Sequence, residues 1–153
     1  MKKRIDYGKQ FPKSIKGLLE VEKYVHQSSL DPKIFELVKM RASQINGCAF
    51  CLDMHSKDAR AAGETEQRLY LLNAWREAPF YSEKERAALE WTEILTLVHQ
   101  HHVSDELYQK IKEHFDDEEM MALTMTIIAI NGWNRLSIGF GTEAGTYEPQ
   151  KNK

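Results

Sequence analysis

The sequence predicts an all-α, single-domain fold of about six to seven helices. Three observations carry that expectation. No segment sustains the two-residue alternation of a half-buried strand, apolar residues recur at helical spacing along the chain, and the breaks between these stretches hold residues that start or stop helices. At 153 residues the chain is long enough to bury a core without covalent staples.

The elements follow in order. A first helix is predicted over about 13–27, where Ile15, Leu18, Leu19, Val21 and Val25 form an apolar stripe, and "SSLDP" (28–32) interrupts it. Asp31 before Pro32 opens a second helix, because proline has no amide to leave unpaired in the first turn. Ile34, Leu37, Val38, Ala42 and Ile45 fall on one side of it. Asn46-Gly47 ends it, since both residue types tolerate the left-handed backbone that closes helices. A third helix starts near Cys48 and stops at Gly63, and a shorter helical stretch covers 65–76. Ser82 and Glu85 of "SEKE" have the spacing of a capping box, opening a long helix to about Val98. "SDEL" (104–107) and "DDEE" (116–119) put acids at two further starts, where the helix dipole favours them. Gly132 interrupts the last apolar pattern, with the helix continuing to about Ile138. The tail "GFGTEAGTYEPQKNK" is expected to be irregular, wrapping the body or a neighbouring subunit.

Composition narrows the function. Hydrophobic residues at 42%, charged residues at 29% and a net charge of −2 describe an ordinary globular chain with no basic surplus for nucleic acid or anionic lipid. The start "MKKRIDYGKQFPK" has no apolar stretch behind its basic residues, so it does not read as a signal peptide. The run "MMALTMTIIAI" (120–130) is too short to span a bilayer. The expected location is the cytoplasm. Two neighbouring cysteines in that reducing compartment point to catalysis or metal binding before a structural staple.

Those cysteines lie in "INGCAFCLDMH" (45–55). On a helix, Cys48 and Cys51 are surface neighbours and His55 stays on the same face. A helix beginning after Gly47 places Cys48 in its first turn, where unpaired amides stabilise a thiolate. His55, one turn below Cys51, can exchange a proton with a thiol. The spacing suits reversible dithiol–disulfide chemistry, in which one sulfur attacks and the other resolves. Two other readings stay open at this point. The cysteines can be small buried hydrophobes. A zinc site is also conceivable, but it wants four ligands and would need Glu36 or a neighbouring subunit, since Asp53 points to another face.

Glu36 lies twelve residues before Cys48, which completes Glu-x₁₁-Cys-x-x-Cys-x₃-His over 36–55. This pattern resembles the alkylhydroperoxidase D (AhpD)-like branch of the carboxymuconolactone decarboxylase superfamily. "LVKMRASQINGCAFCLDMHSKDARAAGE", "NAWREAPFYSEKERAALEWTEILT" and "INGWNRL" are similar to its members too, so the resemblance covers about 30–140 of one domain spanning 1–153. The N-terminal helix and the tail are flanks. The resemblance implies an all-helical subunit that forms a homo-oligomer, often a trimer or hexamer. It implies a peroxidase without haem, flavin or metal. It makes Cys51 the peroxidatic thiol, Cys48 the resolving thiol, and His55 with Glu36 a proton relay. Helix-start acidity alone favours Cys48 as the more acidic thiol, so the role of Cys51 rests on the resemblance. Some relatives place a histidine between the cysteines, where Phe50 stands here. That removes one proton carrier and makes the entrance more apolar.

The leading reading is therefore a cytoplasmic dithiol (CxxC) peroxidase that reduces organic hydroperoxides or hydrogen peroxide through a Cys48–Cys51 disulfide cycle. A dithiol electron donor, lipoyl-bearing or thioredoxin-like, restores it. Its rivals are a protein disulfide reductase and a non-enzymatic redox-sensing oligomer. The superfamily's decarboxylase chemistry fits least, because the cysteine motif belongs to the redox branch.

Lesser features complete the survey. His99 and His102 of "HQHH" could catch a metal, though histidines also suit the end of a helix. Trp133, Asn134 and Arg135 are candidates for pocket, subunit contact or plain packing. Met120, Met121 and Met125 are expected in the core.

Overall fold

The computed structural model describes residues 3–149. Its α-helices are α1 (Tyr7–Gln10), α2 (Lys16–His26), α3 (Pro32–Asn46), α4 (Ala49–Ala61), α5 (Glu66–Tyr70), α6 (Glu83–Thr96), α7 (Asp105–Lys112) and α8 (Asp117–Phe140), with 3₁₀ turns at Pro12–Ile15 and Leu72–Ala74. The fold is all-α, as the sequence predicts, with no strand among the described residues. The predicted 65–76 stretch is α5 followed by the second 3₁₀ turn, and α1 adds a single turn that the apolar pattern does not signal.

Caps decide most boundaries. The Asp31 carboxylate accepts from the Lys33 amide at 2.8 Å, and Pro32 opens α3. Ser82 and Glu85 form the reciprocal box at the start of α6. Asp116 and Glu119 form a second one before α8, a closer pairing than acids merely aligned with a dipole.

Gly132 does not interrupt α8, which runs unbroken for 24 residues. A Cβ at this position would lie 2.9 Å from a methyl of Leu18. The glycine lets α2 approach α8 and has no helix-breaking role. Among the methionines, Met120 is buried and Met125 packs on the core, but Met121 is 55% exposed, because α8 turns that position outward.

Helix α3 is the centre of the bundle, packed against α4, α6 and α8, while α2 also lies on α8. The largest core cluster joins Val38, Trp91, Leu123 and Ile127 from α3, α6 and α8. A second gathers Leu37, Leu72, Trp75 and Leu89. A small third one holds Ala42, Ile130 and both cysteines.

Between α3 and α6, the Glu93 carboxylate accepts from Arg41 Nε and Trp75 Nε1, both at 2.8 Å, and pairs with Arg76. Burial pushes the Glu93 carboxyl up, but the donors from Trp75, Arg76 and Arg41 outweigh it and hold the group below its ordinary 4.5. A carboxyl that ionises below its unfolded value stabilises the fold fully above that value and loses the contribution as pH falls through the lower, folded one. Glu93→Gln is therefore expected to lower stability near neutrality by about 1.5–3 kcal/mol, the range for hydrogen bonds to charged groups. It also flattens the acid limb, and urea midpoints taken from neutral down to about pH 3 read both effects.

Candidate active site

The site begins at the α3–α4 corner. Gly47 adopts the left-handed conformation, φ 68°, and the Cys48 amide donates back to the Ser43 carbonyl at 3.0 Å. This is the glycine-closed helix end in which a six-residue hydrogen bond pairs an orphan carbonyl. Cys48 then caps the next helix. It stands one position before the first turn, with Sγ accepting from the Cys51 amide at 3.4 Å. Sulfur at this place faces the free amides of a helix N-terminus.

Cys48 and Cys51 are joined as a disulfide, with Cα atoms 5.4 Å apart, and each is 1% exposed. A polar clamp fixes the corner to α8. Asn46 Nδ2 donates to Asn131 and Asn134 at 3.0 and 2.9 Å, and Asn134 donates to Ser43 at 3.1 Å. Asn134 and Ser43 are fully buried, so this network holds the corner only while every member stays paired. The "NGWN" stretch thus supports the cysteines from behind.

Glu36, three turns back along α3, meets His55, two turns along α4. His55 Nδ1 lies 3.0 Å from Glu36 Oε2, and the imidazole is 4% exposed. A carboxylate only accepts, so Nδ1 carries the hydrogen and Nε2 is left for the cavity. That cavity, about 290 Å³, is lined by His55 and Cys51 together and walled by Tyr7, Phe50, Met54 and Trp133. Glu36, Cys48, Cys51 and His55 come together at one corner of two helices, and of the four Cys51 and His55 line this cavity.

Two further charged groups line the cavity, and neither stands out in the sequence. Lys39, 3% exposed, donates to Glu22 Oε2 at 2.6 Å, and Trp133 Nε1 donates to Glu22 Oε1 at 2.9 Å. Lys39 also sits 3.9 Å from the centre of the Phe35 ring. Burial pushes the Lys39 ammonium below its ordinary value, against the pull of Glu22 and, further off, Glu36 and Asp58. Glu36 thus leaves the neighbouring lysines alone and serves His55, while Lys39 reaches across to α2. Lys39 sits three residues after Glu36, the spacing of the same helix face, and that is the signal that could have found it.

Other candidates lie apart. The His99 ring contacts Gln100. No group of three or more His, Cys, Asp or Glu side chains placed to hold a metal occurs among the described residues. No helix is long and apolar enough to cross a membrane among them.

The profile of the Carboxymuconolactone decarboxylase family matches residues 10–93, more than half the chain and inclusive of the whole Glu36–His55 motif. The chain belongs to this family. Its similarity to YdfG of Bacillus subtilis, an uncharacterized protein, is 49% identity over 146 residues, covering 95% of this chain and 99% of that one. Among solved structures it resembles ATU0492 of Agrobacterium tumefaciens, whose description assigns no function and points to the antioxidant defence protein AhpD. That likeness has a TM-score of 0.90 at 42% identity, covering 95% of this chain and all of the other. A peroxidase-related protein from Ralstonia eutropha, described as an alkylhydroperoxidase AhpD core, shares the fold at TM-score 0.80 and 15% identity, over 91% of this chain and 74% of that one. This member is therefore AhpD-like within a family associated with enzymes.

Proposed function

We propose that the protein is a dithiol peroxidase that reduces small organic hydroperoxides or hydrogen peroxide. The observation that carries this is one cavity shared by Cys51 and His55, with His55 held at Nδ1 by Glu36. In the reduced state, the Cys51 thiol passes its proton to His55 Nε2, and the resulting thiolate attacks the terminal peroxide oxygen. An S–O bond forms, the O–O bond breaks, and the departing alkoxide takes the proton from His55 Nε2. The Cys48 thiolate then attacks the sulfenic sulfur. Water leaves with one further proton, and the Cys48–Cys51 disulfide results. A dithiol donor returns two electrons and two protons by exchange. The apolar walls given by Phe50, Met54 and Trp133 favour an alkyl or aryl substituent on the peroxide. The same reading makes the protein a cytoplasmic homo-oligomer, a trimer or hexamer.

Steady-state consumption of cumene hydroperoxide with dihydrolipoamide tests it. Wild type turns over, Cys51→Ser does not, and Cys48→Ser stops after one equivalent with a sulfenic acid that a dimedone probe traps. Consumption that survives Cys51→Ser defeats the proposal. Disulfide formation without turnover, with fast reduction of protein disulfides, points to an exchanger instead.

A further inference from the structure

The two cysteines open onto different cavities. Cys51 lines the His55 cavity, while Cys48 lines a separate cleft of about 320 Å³ that does not include Cys51. Phe50 belongs to both linings and stands between them. The Cys48 cleft is bounded by Gly47 and Ala49 at the helix corner, Ser137 at the end of α8, and Thr142 and Ala144 beyond it.

Its outer wall is fixed in place. Gly141 closes α8 in the left-handed conformation, φ 68°, and Thr142 donates to the Ser137 carbonyl at 2.9 Å. The strap that follows is tied across α4. The Gly145 amide donates to Asp53 at 3.0 Å, Lys57 to the Tyr147 carbonyl at 2.7 Å, and the Tyr147 hydroxyl to Asp58 at 2.8 Å. The cleft is therefore preformed, and the tail as far as residue 149 wraps the body of its own chain, residues 150–153 lying outside the described ones.

We infer that this cleft is the reductant's site, where a dithiol donor meets Cys48. The inference rests on the peroxidase reading for the identity of the two half-reactions. Exchange at a disulfide proceeds in line, so a thiolate that strikes Cys48 approaches from the side away from Cys51 and expels the Cys51 sulfur. The donor's first sulfur bonds to Cys48 as the S–S bond breaks. Its second thiolate then closes on the first, giving the donor's cyclic disulfide and releasing Cys48. One donor proton goes to each cysteine, and the donor is oxidised by two electrons as the protein is reduced. Cys51 is freed into the cavity it shares with His55, where the next peroxide binds, so donor and peroxide never compete for one opening. Cys48 at 1% exposure lies below the surface, so a donor thiol must enter the cleft to reach it.

The test separates the half-reactions. Disulfide-form protein is mixed with dihydrolipoamide and, separately, reduced protein with cumene hydroperoxide; free thiols are counted after rapid quenching. Ala144→Trp and Ala49→Trp fill the cleft from exposed positions on opposite walls. Both are expected to slow reduction roughly tenfold or more and to leave oxidation within about twofold, a tenfold change being 1.36 kcal/mol in the barrier. Met54→Trp, in the other cavity, does the reverse. Equal slowing of both half-reactions by the cleft variants, or no slowing of either, overturns the inference. So does reduction by thioredoxin that outpaces dihydrolipoamide and ignores both tryptophans. If peroxide fails to oxidise even the reduced wild type, the peroxidase reading falls, yet the reduction rates still decide whether the cleft admits the dithiol.

Discussion

Methionine in place of Lys39 is expected to lower the unfolding free energy by about 3 kcal/mol, the lower end of the range for breaking a buried ion pair. Methionine fills nearly the same volume, so the loss is electrostatic. Glu22 keeps its hydrogen bond from Trp133 but loses the Lys39 ammonium, which lies 2.6 Å from its carboxylate. Its side chain is 16% exposed, which gives water partial access and keeps the cost below the upper end. The double variant Lys39→Met/Glu22→Gln is expected to recover most of the loss, since a glutamine oxygen still accepts from Trp133 and no charge is left unpaired. Urea unfolding of the four proteins completes a double-mutant cycle. A double variant as unstable as the sum of the single ones would show that Lys39 and Glu22 contribute separately.

The helices that could be read from the chain are those whose ends are chemical. Asp31-Pro32, Gly47 and Ser82-x-x-Glu85 each satisfy or terminate backbone groups within a few residues, and such local chemistry survives folding unchanged. Gly132 misleads for a non-local reason: its missing side chain answers to Leu18, 114 residues away, and not to its own helix. The exposed Met121 shows a related limit. Methionine is apolar, but α8 has a solvent side, and apolar composition over "MMALTMTIIAI" hides which face is which.

The site divides along the same line. Cys48, Cys51 and His55 share one helix corner, so their spacing is itself the geometry. Glu36 sits on a different helix and is recognisable only through a family pattern, and the structure supplies the missing contact at 3.0 Å. Lys39, Glu22 and Trp133 come from three helices. No spacing connects them, and only the packing of α2 and α8 around α3 brings their charges and aromatic ring to the cavity. The cleft at Cys48 is less legible still, because its wall is an irregular tail held by hydrogen bonds to Asp53, Lys57 and Asp58 on the outer side of α4.

The largest kinetic effect expected beyond the cysteines themselves is at His55, and it should depend on what leaves. With alkyl hydroperoxides the leaving group is an alkoxide, a strong base that needs a proton as the O–O bond breaks. Losing a positioned general acid typically costs about 10²–10⁴-fold. His55→Gln is therefore expected to slow oxidation of the reduced protein by cumene hydroperoxide by that order. With a peracid the leaving group is a carboxylate, which departs without a proton, so the same variant should lose much less, only the part owed to thiol activation. The comparison belongs near neutral pH, where the imidazole can carry the proton it takes from the Cys51 thiol and any loss in thiol activation is common to both oxidants. Glu36→Gln is expected to fall between: a glutamine oxygen still accepts from Nδ1, but the charge that supports a protonated imidazole is gone. Equal losses with both oxidants would mean that His55 acts on the thiol or on packing, and the proton for the alkoxide would have to come from elsewhere in the cavity.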